Sequence, residues 1–261
     1  MRVSVLIGAY DNADTLPRAI DSILGQTLGG LELIVVDDGS TDGTAELVDG
    51  LDDPRVRRLS LPHMGISRSL NAGLAEARAP YVAIQDADDW SYPNRLERQV
   101  ALLDSRPDVA VVGCRMREVG PDGETLAPRT SFAAGDVAHA LLRFNPIPNT
   151  SSCFRRAEIL ALGGYDPRLR YAMEYDLWLR AAEHHTVYAL DEELAVRSMS
   201  GLNVAARKER AQVAETARIL AGAAWRRRTV AGLPWIALPA LSWATPLPLK
   251  RAVRRRRGQA P

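Results

Sequence analysis

Cysteine is nearly absent from this chain: Cys114 and Cys153 are the only two, 39 positions apart. No zinc motif has that spacing, and one pair is no disulfide framework, so two reduced, buried thiols in a cytosolic protein are expected. The four histidines, at 63, 139, 184 and 185, form no ligand spacing. Glycine is missing where phosphate-binding turns need it. The first strand-like run is followed by "IGAYDNAD", with one glycine where a dinucleotide fold requires G-x-G-x-x-G, and no G-x-x-x-x-G-K-[ST] occurs anywhere. A backbone cradle for phosphates is therefore excluded. The short apolar run at residues 3–10 lacks the length and cleavage site of a signal peptide, which points to the cytoplasm. Acidic residues stop at Glu215, whereas ten basic ones follow it. The first 215 residues carry 23 basic and 32 acidic side chains, so a net charge of +1 conceals an acidic body with a basic tail.

What remains is ordinary for a globular protein, with 46% hydrophobic and 25% charged residues in a chain long enough to bury a large core. Residues 3–7 form a β-branched run without helical period, the mark of a buried strand. Leu16, Ala19, Ile20, Ile23 and Leu24 follow at helical spacing, with Thr15 the expected N-cap and Pro17 in the first turn. Strands are expected at 31–36, 56–59, 81–85 and 109–114, and helices at 44–50, 66–77 and 93–103. This alternation predicts an α/β fold, a mostly parallel, Rossmann-like sheet with helices on both faces and right-handed crossovers.

Ligands of such sheets bind beyond the carboxyl ends of the strands. Ala9 and Tyr10 end the first strand, Asp37 and Asp38 the second, and Asp86, Asp88 and Asp89 the strand at 81–85. Carboxylates hold a diphosphate only through a divalent metal that bridges the two sets of oxygens. Asp86 and Asp88 then suit a metal and a ribose; turn-forming and capping aspartates are the alternative.

Three stretches carry a family resemblance: "VSVLIGAYDNADTLPRAIDSILGQTLGGLELIVVDDGSTDGT", "YVAIQDADDWSYPNRLERQV" and "GGYDPRLRYAMEYDLWLR". In order and distance they resemble the inverting glycosyltransferases of family 2, of GT-A fold, over residues 3 to about 200. The resemblance implies a nucleotide-sugar-binding half at 1–110, an acceptor-binding half at 111–205 and a tail at 206–261. It makes Asp38 the reader of the nucleobase, favouring UDP or dTDP over GDP, since a carboxylate accepts the imide proton of uracil or thymine. It further implies that Asp86 touches the ribose, that Asp88 ligates Mn2+ or Mg2+ with Asp86 as a second ligand, and that Arg68 meets the diphosphate. Asn71 resembles a recurring helix asparagine. Relatives carry "EDYDLWLR" where this chain has "MEYDLWLR", so Met173 replaces the first acid and Glu174 the second. Glu174 is the expected base, with Asp176 the alternative, turned about 200° away on a helix. Gly164 and Tyr165, in the "GGY" turn, and Trp178 are the acceptor-side candidates, with a core role the alternative for Trp178.

Residues 230–249 hold no charge and four prolines, between three arginines at 226–228 and a basic cluster from Lys250. The prolines disfavour an unbroken span, and the tryptophans with basic flanks suit the headgroup region of the inner face of the cell membrane. A tail folded back on the domain is the alternative; nucleic acid is not expected, because no companion motif occurs. Transfer of a sugar to a glycan or lipid-linked saccharide is the leading expectation. Two others stand beside it: a catalytically silent nucleotide-sugar-binding relative, suggested by Met173, and a nucleotidyltransferase.

Overall fold

The computed structural model describes residues 1–127, 131–199 and 205–226. Mainly apolar runs give strands buried on both faces, β1 (Val3–Ala9), β2 (Leu31–Asp37) and β4 (Tyr81–Asp86), while β3 (Val56–Ser60), at the sheet edge, is partly exposed. Helices α1 (Leu16–Leu24), α2 (Thr44–Asp49) and α3 (Ile66–Glu76) connect them. All the ladders within this half, β3–β2–β1–β4, are parallel, as the alternation predicts. Thr15 holds the N-cap position of α1 as expected, but its hydroxyl makes no capping bond; the chain enters the helix through amides of Thr15 and Leu16 donating to the Asn12 carbonyl.

Beyond β4 come β5 (Trp90–Ser91), α4 (Arg95–Ser105), β6 (Val109–Val119), β7 (Gly135–Asp136), β8 (Cys153–Arg155), α5 (Arg156–Ala161), α6 (Met173–Ala181) and β9 (Thr186–Ser198). The sheet continues from β4 through β8, β6 and β9 to β5, with β7 paired to β9. This half is mixed: β8 runs antiparallel to β4 and β6, while β9 runs parallel to β6. Strand β6 outlasts the apolar run at 109–114 because residues 115–119 pair with β9 across register shifts. One sheet therefore crosses residues 1–199 within a compact unit, residues 1–202; the remaining unit, 203–261, contributes α7 (Ala205–Arg226) to the described structure. The apolar stretch at 230–249 and its flanking cluster lie outside the described residues.

Alternation along β1 sends Val5 and Ile7 to one face and Leu6 and Gly8 to the other. The first face packs on Ile20 and Ile23 of α1 and on Leu96, Val100 and Leu103 of α4. The second receives α3, which comes so close that a Cβ on Gly73 would lie 2.8 Å from a Val36 methyl and 3.3 Å from Leu6. Register then sets the site: Gly8 of β1 stands opposite Asp86 of β4, and Ala9 opposite Asp37 of β2. Three strands end together, so their following loops share one edge.

Gly73→Ala should therefore force α3 off the sheet and lower stability by about 1–3 kcal/mol, the usual cost of overpacking. Urea denaturation reads this as a lower midpoint at unchanged slope; an unchanged midpoint would mean α3 is free to shift.

Candidate active site

The three aspartates after β4 separate into different roles. Asp89 is buried and turned inward, its Oδ1 accepting the amide of Ser198 at 2.9 Å. Burial first, then the charges of Asp86 and Asp88, push its carboxyl well above the usual range. Asp86 is half-buried; its amide donates to Thr150 Oγ1 at 2.8 Å and its Oδ1 faces Asn149 Nδ2 at 3.4 Å. Burial, then the neighbouring Asp88, raises the Asp86 carboxyl as well. Asp88 is half-buried, and its carboxylate has no hydrogen-bond or ion-pair partner among the described residues. Only its carbonyl is engaged, by Arg18 at 3.5 Å, whose guanidinium lies 3.6 Å over the Trp90 ring. Below this turn Arg95 is fully buried, donating to the carbonyls of Ile84 and Thr150.

Among the described residues no cluster of three or more His, Cys, Asp or Glu side chains could hold a metal. The pair Asp86–Asp88 nevertheless suits a hard divalent cation, which typically takes one or two carboxylates and completes its shell with phosphate oxygens and water. A cation there would relieve the like-charge strain that raises Asp86.

At the β2 end both aspartates are engaged. Asp37 accepts the Ser40 amide at 2.9 Å and pairs with Arg58 at 3.2 Å. Asp38 accepts the amides of Met64 and Gly65 at 2.8 and 2.9 Å, the Ser69 hydroxyl at 2.7 Å, and lies 3.1 Å from His63 Nδ1. Ala9 is buried, and its carbonyl accepts the Asp38 amide at 2.8 Å. Tyr10 is exposed, its ring 4.1 Å from that of His63. Arg68, in the first turn of α3, is exposed and its guanidinium has no partner among the described residues. Asn71 is a clamp: its Oδ1 accepts the Tyr165 amide and its Nδ2 donates to the Tyr165 carbonyl, both at 2.8 Å. Gly164 must be glycine there, since φ is +68° and a Cβ would lie 2.5 Å from Asn71 Oδ1.

Glu174 sits half-buried in the first turn of α6, accepting from Asn145 Nδ2 at 3.2 Å. Burial, and more weakly the charge of Asp86, lifts its carboxyl to about 7, against the opposing charge of Arg197. Asp176 is committed elsewhere: Arg180 Nε donates to it at 2.7 Å, and the same guanidinium holds the carbonyls of Leu162 and Gly164 at 2.8 and 2.7 Å. Met173 is buried. Tyr165 is 1% exposed, so it presents no sugar-contacting face. Its hydroxyl donates to Asn149 Oδ1 at 3.0 Å, continuing to Asp86. Burial and the charges of Glu174 and Asp86 hold its phenol well above the usual range, hence neutral. Trp178 is fully buried, its indole N–H donating to the Ile147 carbonyl at 2.9 Å, so the core role is the one it has. Asn145, Asn149 and Thr150 had no sequence signal beyond a polar run, "NPIPNTSS", between apolar segments, and Arg197 had none. Cys114 and Cys153 are free and buried, with thiols pushed up to about 12 by burial.

A carboxylate-lined strand edge in an α/β fold thus lies within electrostatic reach of an acid of raised pKa. The family model for glycosyl transferase family 2 matches residues 4–159, and the chain belongs to that family. A Pasteurella multocida hyaluronan synthase is 29% identical over 216 residues, covering 79% of this chain, which spans only 21% of the synthase. The amylovoran biosynthesis glycosyltransferase AmsE of Erwinia amylovora is 29% identical over 182 residues, 68% of each chain. The crystal structure of Staphylococcus aureus TarS 1–349 in complex with UDP-GlcNAc superposes with a TM-score of 0.68 at 18% identity, covering 85% of this chain and 66% of that one. The GT-A fold is thus the one observed.

Glu174 works against folding at neutral pH. A carboxyl whose folded-state pKa lies near 7, above its ordinary 4.5, is least costly when protonated. Its destabilising effect grows as pH rises from about 4.5 and is complete above about 7. Glu174→Gln should stabilise the fold at pH 8 by on the order of 1–3 kcal/mol once partial exposure is allowed for, seen as a higher thermal midpoint, and converge with wild type near pH 4.5. Melting curves across that range test this; equal midpoints at pH 8 would show that Glu174 is well solvated.

Proposed function

We propose that this chain transfers a sugar, with inversion at the anomeric carbon, from a UDP- or dTDP-sugar to a hydroxyl of a glycan or lipid-linked saccharide. One observation carries the reading. Glu174, with a carboxyl near neutrality, lies within electrostatic reach of Asp86, so a proton acceptor and the donor-side carboxylates share one site. General bases work best with a pKa close to the operating pH. Residues 1–110 supply the donor side and 111–205 the acceptor side of one domain, with 206–261 as a tail.

The step needs three things of the chain. Tyr10 and Asp38 seat the nucleobase, and Arg68 meets the diphosphate with an uncommitted guanidinium. Asp86, oriented by Thr150 and Asn149, faces the ribose and, with Asp88, would hold a divalent cation. Bound there, Mn2+ or Mg2+ supplies positive charge against the departing diphosphate. Glu174 takes the proton of the acceptor hydroxyl; that oxygen bonds to the anomeric carbon as the carbon–diphosphate oxygen bond breaks from the opposite face. Asn145 orients the base, and Gly164 and Tyr165 brace it through Asn71 and Asn149. With Asp176 tied to Arg180, Glu174 is the carboxylate left free for this work.

The relatives' names, a hyaluronan synthase and an amylovoran biosynthesis enzyme, support a polysaccharide acceptor. No helix among the described residues is long and apolar enough to cross a membrane. The tryptophan-bearing, arginine-flanked segment at 230–249 supports peripheral attachment at the inner membrane face, where such an acceptor would be met.

Glu174→Gln keeps the shape and the Asn145 contact but cannot accept a proton, so acceptor-dependent release of nucleotide diphosphate should fall about 10²- to 10⁴-fold while donor affinity holds. In wild type the rate should climb as pH rises through about 7, the deprotonated form being the active one. A mild Glu174→Gln with a crippled Asp176→Asn would transfer the role to Asp176. No release from wild type with any donor and acceptor would leave a silent binding protein.

A further inference from the structure

His63 does something that the donor site as described does not require. Its Nδ1 lies 3.1 Å from the Asp38 carboxylate and 3.1 Å from the Asp38 carbonyl, while its ring packs 4.1 Å from the Tyr10 ring. One imidazole thus stands where a pyrimidine with an imide N–H would: its Nδ1 donates to the Asp38 carbonyl and lies 3.1 Å from the carboxylate, and its ring packs against Tyr10. A carboxylate offers about four acceptor positions; two amides and the Ser69 hydroxyl take three of those on Asp38, and His63 Nδ1 stands 3.1 Å from Oδ2, covering the one left for a nucleobase.

We propose that His63 is an internal stand-in for the nucleobase, which has to rotate out before a uracil or thymine nucleotide can seat. This rests on the nucleotide-donor reading above. Of the four donors, His63 is the one that can leave cheaply. Ser69 is fully buried and held in the first turn of α3 by its contacts with Asp38 and the Gly65 carbonyl, with no route out to water. The amides of Met64 and Gly65 are fixed by the entry to α3. The chain at 61–63 is pinned by the Leu61 amide donating to the Asp37 carbonyl at 2.9 Å and by the close approach of Gly39, where a Cβ would lie 2.9 Å from the His63 amide nitrogen. The His63 side chain, by contrast, is 57% exposed, so water takes over its hydrogen bond when it swings away. Its backbone stays while its ring moves. The occupied state lowers apparent donor affinity by the fraction of molecules in which the site is open.

The test is calorimetry of UDP with Mn2+ on the full chain, wild type against His63→Ala. The variant should bind UDP about three- to tenfold more tightly, because the competing contact is gone. CDP should show no such gain, since its ring nitrogen at that position accepts rather than donates. Weaker or unchanged UDP binding would overturn the proposal, as would an equal gain for CDP. On the wild type itself, UDP with Mg2+ should shift the His63 imidazole Cε1–H resonance while Mg2+ alone leaves it in place; an unmoved resonance in a protein that binds UDP also overturns it. If neither protein binds UDP, dTDP or GDP, the donor reading fails, and this proposal with it.

Discussion

Negative charge held out of water at the carboxyl end of β4 is the constraint around which this site is arranged. Asp86, Asp89 and Glu174 all have carboxyls raised by burial first and by neighbouring like charge second. Such groups weaken a fold at neutral pH, because their charged forms are the ones burial disfavours. The chain sustains them on a sheet whose inner strands are apolar on both faces, with β1 and β2 entirely or almost entirely buried. Parallel register brings the charges together: Asp86 and Asp37 end up beside neighbouring residues of β1.

Partners divide the acids by role. Asp176 is closed off by Arg180, Asp37 by Arg58, and Asp89 by the Ser198 amide. The Asp88 carboxylate is left without a partner among the described residues, and the Glu174 carboxylate keeps a 3.2 Å contact with Asn145. The turn at 149–152 links the two sides: Asn149 joins Tyr165 to Asp86, and Thr150 holds the Asp86 amide. The acceptor-side turn is joined to α3 by Asn71, so displacement of either element would be felt at both ends of the site.

The first half of this architecture was legible in the sequence because it rests on local signals. Strand runs at 3–7, 31–36 and 81–85 and the helical spacing at 16–24 each agree with the element formed there. The strand-end aspartates were legible for the same reason. Thr15 holds the cap position without a capping bond, because the Asn12 carbonyl, three residues earlier, already receives the first amides. Burial of Tyr165 and Trp178 is a tertiary outcome: a "GGY" turn and an "LWL" run have the same letters whether they face a ligand or a core. His63, Asn149 and Arg197 were invisible because their meaning comes from residues 16 to 111 positions away.

The account's central claim is that the β4 carboxylates form a site completed by a cation and a nucleotide diphosphate together. The direct measurement is the thermal midpoint of wild type and Asp88→Asn with UDP, with Mn2+, and with both, at pH 7.5. A ligand that binds only the folded state raises that midpoint by mass action. Wild type should rise most when both are present, well beyond the sum of the separate effects, and Asp88→Asn should lose that excess. An equal excess in Asp88→Asn, or UDP stabilising wild type to the same extent without Mn2+, would contradict the account.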